Sequence, residues 1–254
     1  MAGYKAYLSE DSKLIEGWIH LDKKESHHLC RVLRLKKGTE VRVLDGLGQV
    51  YETRIEEASA KGAVLKVHSK GSRVAPKVKI KLLLSIPKLK AMDLILKACV
   101  EIGIHSIQPI LSDHCAFHLD AKQTEEKMQK WSNSLIEAAK QCENAFIPKL
   151  ESIQGLNRYW DAFEIPESEQ LNLVASLEPG SLALSETLNK EYNEQESLCL
   201  AIGPEGDFSK NEYALFQSKG FKHVRLSQHV LRTETAVFYG LSVIDQMVQN
   251  SALK

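Results

Sequence analysis

The pattern of apolar and polar positions changes period once along the chain. Up to about residue 74, apolar residues alternate with polar ones in short runs at 40–44, 49–56 and 63–68, which predicts three strands. Asp45-Gly46-Leu47-Gly48 and Lys61-Gly62 separate them, residue types that accept the backbone angles of tight turns. Ahead of these strands, Leu29, Val32 and Leu33 share one face of a short helix predicted over 27–35. Ser26 is its expected cap and Lys36-Lys37-Gly38 its end. Short strands at close spacing point to a small barrel. The stretch 72–77, with Pro76, reads as a linker.

From Val78 the signals alternate between strand and helix. A strand over 78–86 is followed by Pro87 and a helix over 88–102, striped by Met92, Ile95, Leu96 and Cys99 and ended by Gly103. Further strands are predicted at 106–111, 171–176, 197–202 and 223–226, with a long helix near 122–142 and a last one over 233–248. This alternation predicts an α/β layer fold with a largely parallel sheet. The reading is therefore of two domains, 1–74 and 75–254.

Composition adds two constraints. No apolar run approaches membrane-spanning length, and the first residues carry no apolar signal segment, so no membrane is expected. Cys30, Cys99, Cys115, Cys142 and Cys199 are scattered without paired spacing, which argues for free thiols in a reducing cytoplasm. The net charge is zero, but residues 1–100 carry 20 basic and 11 acidic side chains, and residues 101–254 carry 13 and 22. A basic front half suits a polyanion such as RNA or DNA, and lysines guarding exposed strand edges would give the same split.

Two loops carry the chemistry. Ile202-Gly203-Pro204-Glu205-Gly206-Asp207-Phe208-Ser209 follows an apolar strand, and Ser209 with Glu212 forms a capping box for the next helix. Two glycines and a proline make a sharp turn where backbone can approach a ligand. Leu226-Ser227-Gln228-His229-Val230-Leu231-Arg232-Thr233-Glu234-Thr235-Ala236 repeats the plan, with Thr233 as expected cap and Glu234 at the positive end of the helix dipole. Arg232 can hold a carboxylate, phosphate or base edge there, or simply pair with Glu234. Both loops are expected in one pocket beyond the carboxyl ends of the strands. Glycine-rich dinucleotide, P-loop and nucleophile-elbow motifs are absent. His114, Cys115 and His118 supply three local ligands without a second cluster, so no metal is expected.

Several segments, in order, resemble the RsmE family of 16S rRNA uridine-N3 methyltransferases. They are His28-Leu29-Cys30-Arg31-Val32-Leu33-Arg34, Met92-Asp93 through Val100-Glu101-Ile102-Gly103, Trp131 with Ala138-Ala139 and Gln141-Cys142, and the two loops. The resemblance implies a PUA-like N-terminal β-barrel and a C-terminal SPOUT α/β domain with a deep trefoil knot. It also implies a homodimer that uses S-adenosylmethionine (SAM) to methylate N3 of a uridine in 16S rRNA of the small ribosomal subunit. The donor would lie against Leu200, Ile202, Gly203, Pro204, Glu205, Gly206, Leu226, Ser227, Val230 and Leu231. Arg232 would steady the uracil, with Glu205 or Glu234 as base or orienter, and Arg31, Arg34, Lys36 and Lys37 would hold RNA phosphates. The chain departs from the family pattern in four places: Asp207 replaces a second glycine, and Ser227-Gln228-His229 replaces Gly-x-Arg. Lys97-Ala98 replaces Gln-Lys, and Asp113-His114 replaces Glu-Arg. Another RNA target, or a non-catalytic RNA-binding role, are the alternatives.

Overall fold

In the computed structural model, which describes residues 3–115, 120–161 and 170–252, the chain divides into two units. One combines Met1–Ala75 with Ile136–Ile147, and the other combines Pro76–Leu135 with Pro148–Lys254.

The first unit holds β1 (Tyr4–Tyr7), β2 (Lys13–Ile15), β3 (Trp18–His20), α1 (Lys23–His27), β4 (Glu40–Leu44), β5 (Gln49–Glu57) and β6 (Val64–Ser72). They form one sheet in the order β1-β4-β5-β6-β3-β2, antiparallel except where β1 meets β4. The three predicted strands are β4 to β6. Strands β1 to β3, at three or four residues each, are too short to display a period. Alternation sends Ala6, Ile19, Val41, Val43, Ile55 and Leu65 into one core, and two register shifts between β5 and β6 bend the sheet.

The helix predicted over 27–35 instead starts at Lys23 and changes form after His27. Asp22 caps α1 by accepting the Glu25 N–H at 2.8 Å. Ser26 is buried instead, its hydroxyl donating to the Leu21 carbonyl and accepting the Ala63 N–H. His28–Val32 continues as a wider turn in which Leu33 N–H reaches back to the His28 carbonyl, and Arg34 leaves it at φ +55°. Of the expected apolar face, only Leu29 enters the core; Val32 and Leu33 are exposed.

The second unit runs β7 (Lys79–Ser85), α2 (Leu89–Ile102), β8 (Ser106–Leu111), α3 (Ala121–Cys142, whose last turns group with the first unit), β9 (Lys149–Leu150), β10 (Gln154–Gly155) and α4 (Leu156–Asp161). It continues with β11 (Gln170–Ala175), β12 (Leu182–Ala183), α5 (Leu184–Glu191), β13 (Ser197–Ile202), α6 (Lys210–Ser218), β14 (Lys222–Arg225) and α7 (Thr233–Ala252). Its pairings are all parallel, in the order β10-β8-β7-β13-β11-β14-β12, with β9 beside β8. Leu82, Leu84, Leu173, Leu198, Leu200 and Val224 have no exposed surface, as expected of strands covered on both faces. The apolar stripe of α2 is likewise fully buried, and Gly103 ends that helix at φ +83°. No helix among the described residues is long and apolar enough to cross a membrane. Because β13, β11 and β14 are neighbours, the loops that follow them emerge side by side at one edge.

Candidate active site

Those three loops enclose a cavity of about 300 Å³. The end of β11 contributes Ala175, Ser176 and Leu177; the loop after β13 contributes Ile202, Gly203, Pro204, Glu205 and Asp207. The segment from β14 into α7 contributes Arg225, Leu226, Ser227, His229, Val230, Leu231, Arg232, Thr233 and Ala236. Three residues named from sequence do not line it. Leu200 is buried in β13 under Gly240, Gly206 lies against His114, and Glu234 sits in the first turn of α7. Ala175-Ser176-Leu177, at the end of β11 and just beyond it, carries no chemical signature in the sequence; the strand order brings it to the cavity.

The loop after β13 is held closely. A Cβ at Gly203 would lie 3.2 Å from the Phe208 nitrogen, and one at Gly206 would lie 3.1 Å from His114 Cβ. His114 Nδ1 is 2.9 Å from both the Gly206 and Asp207 carbonyls, so this nitrogen carries the proton and donates. Those bonds, that to Asp207 foremost, raise the imidazole pKa above its ordinary value. Asp113 accepts the Ser209 hydroxyl, while Glu212 accepts the N–H groups of Asp113 and Ser209 and completes the expected capping box.

Asp207 stands at φ +62°, in the left-handed region. Its Oδ1 accepts the Phe208 N–H at 2.9 Å and the Tyr213 hydroxyl at 2.7 Å, local bonds that suit aspartate to this conformation. Tyr213 OH is also 3.2 Å from the Ala175 carbonyl and thereby ties the β13 loop to the β11 loop. Burial first, and the Asp207 carboxylate second, push the Tyr213 pKa up.

Glu205 Oε1 accepts the Lys88 backbone N–H at 3.1 Å, at the start of α2, which has no side-chain cap of its own. Arg232 is exposed, and its carbonyl accepts the Ala236 N–H at 2.8 Å. The N-cap position of α7 thus falls on Arg232, not on Thr233, which is buried as the first helical residue. Among the described residues, Arg232 and Glu234 form no ion pair. In the first unit Arg31, Arg34 and Lys36 are exposed, and Lys37, also exposed, pairs with Glu56 at 3.0 Å. His118 lies outside the described residues, and among those described no three potential metal ligands cluster.

A family model described as the RNA methyltransferase domain matches residues 74–245, and one described as the RNA methyltransferase PUA domain matches residues 21–67. The ribosomal RNA small subunit methyltransferase E of Aquifex aeolicus is 30% identical over 220 residues, 84% of this chain and 88% of that protein. The chain belongs to the ribosomal RNA small subunit methyltransferase E family. Its relative of that name from Synechocystis is 28% identical over 94% of this chain and 76% of that protein. A Legionella pneumophila protein assigned as a methyltransferase, solved in complex with the bound cofactor SAM, is 26% identical over 97% of both chains, with a TM-score of 0.84. The α/β second unit and the PUA-like first unit are those of the methyltransferase E family.

Proposed function

We propose that this protein transfers the methyl group of SAM to N3 of a uridine in 16S rRNA of the small ribosomal subunit. The observation that carries the reading is the cavity at the carboxyl ends of β13, β11 and β14, built inside the matched methyltransferase domain. Its features fit the donor. Ile202, Leu226, Val230 and Leu231 give an apolar wall for the adenine, and Gly203 keeps side-chain bulk away from the closely packed loop backbone. When bound, SAM supplies an electrophilic methyl on a cationic sulfur.

The target base leaves its stack to reach the site. The N3 proton would pass to solvent water, and the methyl that SAM would supply would take its place on N3, leaving S-adenosylhomocysteine as the spent ligand. Arg232 offers its guanidinium to the uracil oxygen as negative charge develops. Glu205, tied to α2, acts as an orienter, and Glu234 favours the start of α7 electrostatically. Residues 1–74 are the RNA-holding barrel, with Arg31, Arg34, Lys36 and Lys37 on phosphates, and 75–254 the catalytic domain. A deep trefoil knot, a homodimer and a cytoplasmic location belong to the same reading.

Calorimetric titration with SAM tests it. The wild type binds, and Gly203→Val does not while keeping its circular dichroism and melting temperature. Binding retained in a folded Gly203→Val removes the cavity from the account. No binding by the wild type favours a non-catalytic RNA-binding role.

A further inference from the structure

Asp207 lines the cavity and sits at φ +62°. Glycine takes that backbone freely, whereas aspartate takes it with the help of local side-chain hydrogen bonds. The side chain is fixed rather than mobile: Oδ1 is taken by the Phe208 N–H and the Tyr213 hydroxyl. Its other oxygen, Oδ2, has no hydrogen-bond partner among the described residues. The residue is half-buried, so the field of its charge is less screened than that of an exposed group. The other carboxylate of the lining, Glu205, is exposed and drawn to the start of α2. The cationic side chains of the lining, Arg225 and Arg232, are exposed and form no ion pair with Asp207.

We propose that Asp207 is a specificity-determining residue whose fixed carboxylate makes the cavity prefer the positively charged donor, SAM, over the neutral-sulfur product, S-adenosylhomocysteine. This rests on the reading that the donor occupies the cavity. Donor and product share the adenosine and the amino-acid part; they differ in one methyl and one positive charge. A carboxylate held in the lining attracts that charge and is indifferent to the product, so transfer itself loosens the spent ligand.

The test is calorimetric titration of the wild type, Asp207→Asn and Asp207→Gly with SAM and, separately, with S-adenosylhomocysteine. Asparagine tolerates the left-handed backbone and keeps an acceptor for Phe208 and Tyr213, so it removes the charge alone. Glycine removes the side chain while relieving the backbone. Both variants should lose about tenfold in SAM affinity with little change for the product, consistent with a contact of about 1.4 kcal/mol. Both should melt no lower than a few degrees below the wild type, and Asp207→Gly no lower than Asp207→Asn. An unchanged ratio of the two affinities in both variants overturns this inference alone. Failure of the wild type to bind either ligand overturns the donor-site reading and this inference with it.

Discussion

Gly240 of α7 lies so close over Leu200 of β13 that a Cβ at position 240 would stand 2.7 Å from Leu200 Cδ2. Leu200 has no exposed surface and little room to yield. The missing side chain therefore lets the last helix seat on the strand that leads into the cavity. Gly240→Ala sets two effects against each other. Alanine favours a helix interior by about 1 kcal/mol, whereas overpacking a tight core costs about 1–3 kcal/mol. The expected outcome is a net loss of up to about 2 kcal/mol, read as a lower urea midpoint at unchanged slope. A midpoint at or above the wild type would show that Leu200 moves aside.

Glu25 and Lys140 form a buried ion pair in the first unit at 2.9 Å, with 3% and 6% of their surfaces exposed. The second Glu25 oxygen accepts the Tyr7 N–H, and Lys140 also meets Glu137. Lys140→Met strands a hydrogen-bonded carboxylate and should cost about 3–5 kcal/mol, measured by urea unfolding. Burial alone lowers the Lys140 pKa, but Glu25 and Glu137 outweigh it, so the net shift is upward. The pair's contribution is then complete below the unfolded lysine value of about 10.4 and lost as pH rises through the higher folded value. Stability of the wild type should fall in that alkaline range, and that portion of the fall should be missing from Lys140→Met.

What was legible in the sequence was local. The run before Gly203 and the Ser209–Glu212 spacing declare a strand, a turn and a capped helix in close succession, and the structure builds them. Contacts between distant positions were not legible. Nothing in Lys140 announces Glu25, 115 residues away, and so nothing announces that the end of α3 groups with the first unit. Nothing around His114 announces its partners either, two carbonyls more than 90 residues on. Asp22 and Ser26 are both good caps, and the choice fell on Asp22 because Leu21 and Ala63 claim the Ser26 hydroxyl.

The His114 clasp gives a pH-dependent prediction. A raised imidazole pKa means that the clasp is strongest at acidic pH and weakens as pH rises through the folded value. The neutral ring still donates from Nδ1, so the weakening is partial. Proton NMR should place the His114 pKa above about 6.5. SAM affinity should decline several-fold in His114→Ala, with less pH dependence than in the wild type. A His114 titration at or below the ordinary value would contradict the clasp.

RNA affinity should fall steeply with salt if the first unit neutralises phosphates. Arg31→Glu and Arg34→Glu should each weaken RNA binding and flatten that salt slope while leaving SAM binding unchanged. Lys37→Glu should have a smaller effect, because Glu56 already neutralises this lysine. Fluorescence anisotropy over a salt series measures all three, and equal effects at 31, 34 and 37 would mean that the Lys37–Glu56 pair is opened on binding.

Arg232→Lys should lower turnover by about tenfold or more while barely changing SAM affinity, because a lysine cannot offer the planar two-donor fork to a developing anion. Its melting temperature should stay near the wild type, since the exposed side chain forms no ion pair among the described residues. Near-normal turnover would remove Arg232 from the chemistry and leave Glu205 as the residue to test.

The most direct measurement is nucleoside mass spectrometry of 16S rRNA from small ribosomal subunits lacking the modification, incubated with the purified protein and isotope-labelled SAM. The account predicts label in 3-methyluridine at a single site, dependent on Arg232. Unlabelled rRNA, or label in any other nucleoside, would contradict it.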